Sequence, residues 1–335
     1  MIKFFKYAAL VAILLVAAFY CIFFLKNPSK ENSKEIYIII PKGASAATVS
    51  DSLAKYDLIR SKLLFKIAAR ILGIGSRLQP GSYRIAYGLS NTEIMKRLTG
   101  TEFAILFEAT FPEGSNIRRV ASIAKEKLGL DSALFIKTAS DTAFIHSLGI
   151  PHEAKNAEGY LFPDTYRFYL MMTPQELVKR MIARWKEMLP DSILAKRKDL
   201  HLSVHELMTL ASIVEAEARL PVERDTIAGV YWNRLKMGMK LDADPTVQYG
   251  LKLSRPITHD DLFKENPYNT YLNIGLPPGP ICNPGKPAIL AALNPARHNK
   301  IYFVARGDGS GGHYFSHSSA EQEKMIRRSN RNERE

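Results

Sequence analysis

The segment VHELMTLASIVEAEAR, from Val204 to Arg219, carries the strongest structural signal in the chain and predicts a helix. Its apolar residues recur at helical spacing and form one stripe on a single face: Leu207, Leu210, Ala211, Val214 and Ala218. Ser203 precedes the segment and has the hydroxyl group that an N-terminal cap requires. We therefore expect this helix to pack its apolar face into a hydrophobic core.

Glu215 lies at the edge of that apolar stripe. Ala211 and Ser212 are four and three residues before it, so small side chains surround the carboxyl group. Burial there raises the pKa of a carboxyl group, as a general acid at neutral pH requires. The alternative is an ion pair with Arg219, four residues later on a solvated face, and spacing alone favours that pair. Glu217 points about 200° away from Glu215, so the two acids are not assigned to one pocket.

The composition is that of a folded protein with about two domains. The chain has 335 residues, of which 46% are hydrophobic, and this is enough to bury substantial cores. Lys and Arg number 46 against 33 Asp and Glu, and the resulting charge of +13 favours anionic surroundings. The two cysteines, Cys21 and Cys282, are too few for a disulfide framework or a four-cysteine zinc module.

The N-terminal region predicts a membrane anchor followed by a tether. The run from Tyr7 to Leu25 contains no charged residue. As a helix it extends about 28 Å at roughly 1.5 Å per residue, which matches a bilayer core. We predict a cytoplasmic N-terminus at 1–6, a transmembrane helix at 7–25 and a polar tether at 26–35. A cleaved signal peptide is less favoured, because its apolar core is shorter and ends in small residues.

Residues 36–100 predict a small module with the order strand, helix, helix, strand. IYIII at Ile36 to Ile40 is typical of a strand, and SYRIAYG after Gly81 is typical of a second one. Two helical patterns lie between them. A further helix is expected after Ser90 or Asn91, either of which provides a cap.

The rest of the chain, residues 101–320, predicts a larger mixed α/β domain. TEFAILFEAT at Thr101 to Thr110 is a strand candidate, followed by the turn PEGS and a helix. Helical patterns dominate residues 173–235, loops rich in Gly and Pro follow at 242–287, and IYFVA and HYFSH predict a hairpin. The fold class is therefore α+β, with a charged tail at 321–335 that ends in solvent.

Several blocks of this sequence resemble those of one bacterial family. The blocks are EGYLFPDTY (158–166), LASIVEAEA (210–218), ERDTIAGVYWNRL (223–235), LDADPTVQYGL (241–251), NPYNTYLNIGLPPGPICNPG (266–285), AALNPA (291–296) and YFVARGDGSGGHYFS (302–316). Together they resemble the endolytic murein transglycosylases, the YceG-like or MltG family. The module at 36–100 resembles the LysM-like subdomain of that family.

The resemblance implies a lyase that cuts the β-1,4 bond between N-acetylmuramic acid and N-acetylglucosamine and leaves a 1,6-anhydro end. The family's catalytic glutamate falls on Glu215, and no metal or cofactor is implied. The loops provide tentative substrate-binding residues, whose structural alternatives are helix capping and packing: Thr246, Gln248, Tyr249, Asn269, Thr270, Tyr271 and, on the helix, Glu217. Glu158, Tyr160 and Asp164 either line the same cleft or form a buried network.

The resemblance also implies a location and partners. The protein is expected to be held in the inner membrane with its catalytic domain outside the cytoplasm, where it meets glycan strands and peptidoglycan synthases. Nucleic acid is not an expected partner, because the basic residues are scattered. His313 and His317 are spaced four residues apart but lack a third ligand, which disfavours a metal enzyme. The main alternative is a non-catalytic, glycan-binding scaffold.

Overall fold

The computed structural model describes residues 2–28, 35–41, 43–75, 77–79, 81–100, 104–105, 107–168 and 172–333. They form two compact units. The first comprises Met1–Glu108 with Arg167–Met172, and the second comprises Ala109–Tyr166 with Thr173–Glu335. The mixed α/β character expected from the sequence is confirmed, with helices predominating and three small sheets.

The first unit contains a three-stranded antiparallel sheet covered by helices. Its elements are α1 (Ile2–Phe23), β1 (Ile36–Ile40), α2 (Ala46–Lys55), α3 (Lys62–Ile71), β2 (Gly81–Ile85), α4 (Asn91–Thr99) and β3 (Ala104–Ile105). Strand β2 is central, and Tyr83 on it pairs with Ile38 of β1. Both side chains are buried. The predicted order strand, helix, helix, strand is confirmed, whereas the likeness to LysM stays a prediction.

The end of α1 is attached to this unit. Phe23 is buried with the core of the sheet, and the Asn91 amide donates a hydrogen bond to the Ile22 carbonyl at 2.8 Å. Lys26 forms an ion pair with Glu93 at 2.6 Å. Within the described part of the chain, no helix combines the length and apolar content needed to cross a bilayer. The transmembrane helix predicted at 7–25 is therefore not confirmed.

Helices make up most of the second unit. Strands β4 (Phe107–Thr110) and β5 (Thr165–Phe168) pair with each other. Strands β6 (Tyr302–Ala305) and β7 (His313–Ser316) form the predicted hairpin. Its helices are α5 (Ile117–Leu128), α6 (Ser132–Ala139), α7 (Thr142–Ser147), α8 (Pro174–Met188), α9 (Asp191–Leu194), α10 (Val204–Glu217), α11 (Arg224–Lys236), α12 (Asp244–Gly250), α13 (Lys286–Leu293) and α14 (Ser319–Asn332).

Helix α10 is the central element of the second unit. Ser203 and Glu206 form a capping box at its N-terminus, and every residue from Leu207 to Val214 is buried. It packs against both α11 and α13. The helix ends at Glu217, two residues earlier than expected, because Ala218 turns into an extended conformation with ψ 97°. Arg219 therefore lies outside the helix.

Two valines provide a matched test of this packing. Val230 of α11 is completely buried, whereas Val222 is 85% exposed. Val230→Ala removes buried methyl groups and leaves a cavity, so we expect it to lower the free energy of unfolding by about 2 kcal/mol. Val222→Ala should change it by less than about 0.5 kcal/mol. Denaturant unfolding of the full chain measures both, and equal effects would contradict the assigned burial.

Candidate active site

Glu215 lies in the last turn of α10, and its side chain is only 8% exposed. Its Oε2 atom accepts a hydrogen bond from the backbone N–H of Gly285 at 3.1 Å. On another side is Gly114, where an added Cβ would lie 3.8 Å from Glu215 Cγ. Gly114 has a φ of +74°, a conformation that favours glycine. The carboxyl group is thus held between two glycine-containing loops.

The charged neighbours of Glu215 come from distant parts of the sequence. Arg224 Nη2 is 3.7 Å from Glu215 Oε1 and 3.9 Å from Glu113 Oε2. The expected ion pair with Arg219 is wrong, because α10 ends before that residue, and the cation beside Glu215 is Arg224. Sequence analysis assigned no role to Glu113 or Arg224. The only signal for Glu113 was its place in the turn PEGS, directly before a glycine.

Burial raises the pKa of Glu215 above its ordinary value. The Gly285 N–H acts in the opposite direction, the charge of Glu113 raises the pKa further, and the charge of Arg224 lowers it. Glu215 therefore has the environment that a general acid requires.

Asn283 connects the two loops that enclose Glu215. Its backbone carbonyl accepts from Gly114 N–H at 2.9 Å, and its backbone N–H donates to Ser115 O at 3.0 Å. Its side-chain amide donates to the same Ser115 carbonyl at 2.7 Å and accepts from Leu161 N–H at 2.9 Å. These bonds fix the loop carrying Gly114 against the loop carrying Gly285.

Glu158 belongs to a buried network behind these loops. Its carboxyl group accepts hydrogen bonds from Ile117 N–H at 3.0 Å, the Asn283 amide at 3.1 Å and the Tyr249 hydroxyl at 3.2 Å. Burial raises the pKa of Glu158 to about 8, although these hydrogen bonds oppose the shift. This geometry favours the network interpretation over direct contact with a ligand.

Tyr160 and Asp164, the other two candidate residues of the EGYLFPDTY block, also have hydrogen-bond or ion-pair partners within the protein. The Tyr160 hydroxyl lies 2.9 Å from His205 Nδ1, and His205 Nε2 lies 3.0 Å from the Pro278 carbonyl. Because a carbonyl only accepts, Nε2 carries the donated hydrogen of that ring. Asp164 forms an ion pair with Arg184 at 2.7 Å.

The residues proposed as substrate contacts fall into two groups. Thr246, Asn269 and Thr270 are buried and brace the loops. The Thr246 and Thr270 hydroxyls are 2.9 Å apart, and the Asn269 amide donates to two backbone carbonyls. The Tyr271 hydroxyl donates to Asp244 at 2.6 Å. The second group consists of Gln248 and Tyr249.

Gln248 and Tyr249 line a cavity of about 260 Å³ near the end of α10. Gly114, which touches Glu215, and Ala216, the next residue along α10, line the same cavity. Ile281 and Cys282 complete this wall, and Ile281 N–H donates to Ser212 Oγ at 3.0 Å. The cavity therefore adjoins the surroundings of Glu215.

Glu217 has partners different from those of Glu215. It accepts a hydrogen bond from the Tyr231 hydroxyl at 3.0 Å. Burial raises the pKa of Glu217 to about 7, with the Tyr231 hydrogen bond opposing this shift. The two acids of the IVEAE segment thus have separate environments, as the helical geometry suggested.

The two C-terminal histidines are each paired with a different carboxylate. His313 Nδ1 lies 2.7 Å from Glu223, and His317 Nδ1 lies 2.7 Å from Glu321. Among the residues that the structure describes, no three His, Cys, Asp or Glu side chains are grouped so as to hold a metal ion.

Comparison with known families assigns the chain to a class. The family model described as "YceG-like family" matches residues 38–328, which include the whole site described above. The chain belongs to the YceG-like family.

Individual relatives agree with that assignment. The endolytic murein transglycosylase of Bacillus subtilis (strain 168) is 33% identical over 299 residues, covering 85% of this chain and 82% of the relative. The enzyme of the same name from Streptococcus pneumoniae D39 is 30% identical over 310 residues, covering 83% of this chain but 56% of the relative. A crystal structure of a putative yceG-like protein from Listeria monocytogenes matches with a TM-score of 0.61 and 29% identity, covering 88% of this chain and all of that one.

The charges around Glu215 predict opposite effects for two substitutions. Glu113→Gln removes a negative charge and should lower the pKa of Glu215, whereas Arg224→Gln removes a positive charge and should raise it. Carbon-13 NMR titration of labelled glutamate carboxyls measures both shifts, with the Glu215 signal identified by its loss in Glu215→Gln. Glu126→Gln, on the exposed face of α5, should leave that pKa unchanged. Shifts of the same sign in the first two variants would contradict the assigned electrostatics.

Proposed function

We propose that this protein is an endolytic murein transglycosylase, a lyase that cuts within glycan strands. The bond cleaved is the β-1,4 linkage between N-acetylmuramic acid and N-acetylglucosamine, and the product carries a 1,6-anhydro end. The names of the curated relatives support the reaction class. The observation that carries the proposal is the Glu215 carboxyl group, which is largely buried, has a raised pKa and lies between the loops that carry Gly114 and Gly285.

Glu215 acts first as an acid and then as a base. In the protonated form, the carboxyl group of Glu215 donates its proton to the glycosidic oxygen while the bond from that oxygen to C1 breaks and positive charge develops at C1. The resulting carboxylate takes the proton from the muramyl 6-hydroxyl group, whose oxygen forms a new bond to C1. Glu215 ends in its starting state, and no water is consumed.

Glu113 has an electrostatic part in this reaction. An ordinary glycosidase uses a second carboxylate as nucleophile or to activate water. The carboxyl group of Glu113 is within reach of the Arg224 charge, and its own charge raises the pKa of Glu215. It therefore favours the protonated form of Glu215 before the bond breaks. Mass spectrometry distinguishes this route from hydrolysis, because an anhydro product is lighter by one water.

Substitution of the acid tests the proposal directly. Glu215→Gln keeps the shape of the side chain but cannot donate the proton, so release of 1,6-anhydro products from defined glycan strands should fall about 10²- to 10⁴-fold. The matched control is Glu206→Gln, on the same helix, since glutamine also completes the capping box. Undiminished product release by Glu215→Gln would refute the mechanism. Strands that bind the wild-type protein but stay uncut would favour the scaffold alternative.

We further propose, from the sequence, that the uncharged run at 7–25 anchors the protein in the inner membrane as a single pass, with the rest of the chain outside the cytoplasm. The support is the uncharged run from Tyr7 to Leu25 and the exposure of its apolar side chains, including Leu14 and Leu15. Glycan strands are located on that side of the membrane. Peptidoglycan synthases are proposed partners, because an enzyme that cuts nascent strands works close to those that make them.

Charges placed in α1 test the membrane proposal. Leu14→Glu with Leu15→Glu puts two acids among lipid tails at a cost of about 3 kcal/mol each. We expect the variant to leave the membrane fraction in a flotation assay of the full chain. Val222→Glu with Met237→Glu adds the same charge at exposed positions and should float with the wild type. Equal flotation of both variants would exclude α1 as the anchor.

A further inference from the structure

Two uncompensated cations line the cavity beside Glu215. Arg118, in the first turn of α5, and Lys252, just after α12, both contribute to its wall, and both are exposed. Within the described residues, neither side chain forms a hydrogen bond or an ion pair. Arg224, by contrast, lies beside the carboxyl groups of Glu113 and Glu215.

The remaining polar groups of the cavity already have partners. Asn116 caps α5 by accepting from Arg119 N–H at 2.9 Å, and the Gln248 amide donates to the Arg255 carbonyl at 3.1 Å. The Tyr249 hydroxyl is bound to Glu158. No Asp or Glu side chain belongs to the described lining of the cavity. The charged side chains of the described lining, Arg118 and Lys252, are therefore both cations.

Glu158 is an acid whose pKa the Arg118 charge affects, but it does not neutralise this surface. The Arg118 charge lowers the pKa of Glu158 by a minor amount compared with the effect of burial. The carboxyl group of Glu158 is itself buried and occupied by the backbone of Ile117, the Asn283 amide and the Tyr249 hydroxyl. No oxygen of Glu158 forms an ion pair with Arg118 within 4 Å among the described residues.

We propose that Arg118 and Lys252 form a carboxylate-binding subsite that holds the acidic branch of the glycan strand while Glu215 cuts the backbone. This inference rests on the proposed function, which supplies the substrate. Arg and Lys are the side chains suited to carboxylate recognition. The cavity, at about 260 Å³, is smaller than the roughly 300–1,000 Å³ of pockets that enclose whole ligands. It therefore suits a branch and not the sugar rings.

Two carboxylates of murein have this chemistry. One is the free lactyl carboxylate of a muramyl residue without peptide, and the other belongs to the stem peptide attached at that lactyl group. Both project from the muramyl ring that bears the bond to be cut. The subsite recognises the carboxylate in either case, and the experiment below distinguishes the sources.

Binding to strands of defined chemistry tests the subsite without requiring cleavage. The protein is the full chain carrying Glu215→Gln, with or without Arg118→Gln and Lys252→Gln. The ligands are peptide-bearing strands, strands stripped of peptide, and peptide-bearing strands whose carboxyls are converted to methylamides. We expect the double substitution to weaken binding of carboxylate-bearing strands about tenfold, and binding of methylamide strands less than twofold. The difference should shrink at high salt.

The matched control is Arg119→Gln with Lys155→Gln, which removes the same charge at exposed positions outside the cavity. We expect this pair to leave binding within twofold of the parent. An equal loss in both double variants, or no loss in either, would overturn the subsite. The strand that loses affinity identifies the source of the carboxylate: the stem peptide for peptide-bearing strands, and the lactyl group for strands stripped of peptide. Failure of the proposed function is a separate result, seen as absence of anhydro products from the wild-type protein.

Discussion

The site depends on the hydrogen bonds of Asn283, which tie two loops together at the end of α10. Through its backbone and its side chain this residue holds Ser115, Gly114 and Leu161 in one arrangement. The Gly285 N–H follows two residues later and reaches Glu215. Without this connection neither glycine would be fixed against the carboxyl group. The buried carboxyl of Glu158 supports it from behind.

Glu215 is placed where opposing effects act on one carboxyl group, and burial outweighs the effects that lower its pKa. Burial and a nearby negative charge favour its protonated form, while one backbone donor and one guanidinium stabilise its anion. A group that gives up a proton and then recovers one must be able to adopt both its protonated and its ionised form. Glu217, two residues away, is instead held by the Tyr231 hydroxyl inside the unit. Their different surroundings follow from the angle between successive positions on a helix.

Local sequence patterns predicted local structure well. The capped helix at Ser203, the chain order strand, helix, helix, strand in the first unit and the hairpin at β6 and β7 were all expected, because each depends on side-chain periodicity or turn residues within a few positions. The sequence did not predict the exact end of α10. For that reason the cation beside Glu215 is Arg224 and not Arg219. Boundaries depend on packing beyond the helix itself. Thr246 and Asn269 likewise brace loops whose path no short pattern specifies.

By itself, the sequence placed Glu215 on a helix at the edge of an apolar stripe and, through its resemblance to a family, indicated what chemistry to expect there. Only the tertiary structure brought Glu113, Arg224 and Gly285 to that carboxyl group, and Arg118 and Lys252 to the cavity beside it. The physical reason is the distance over which each effect acts. Helix periodicity acts over three to four residues, whereas the charges that set a pKa act through space between segments far apart in the chain.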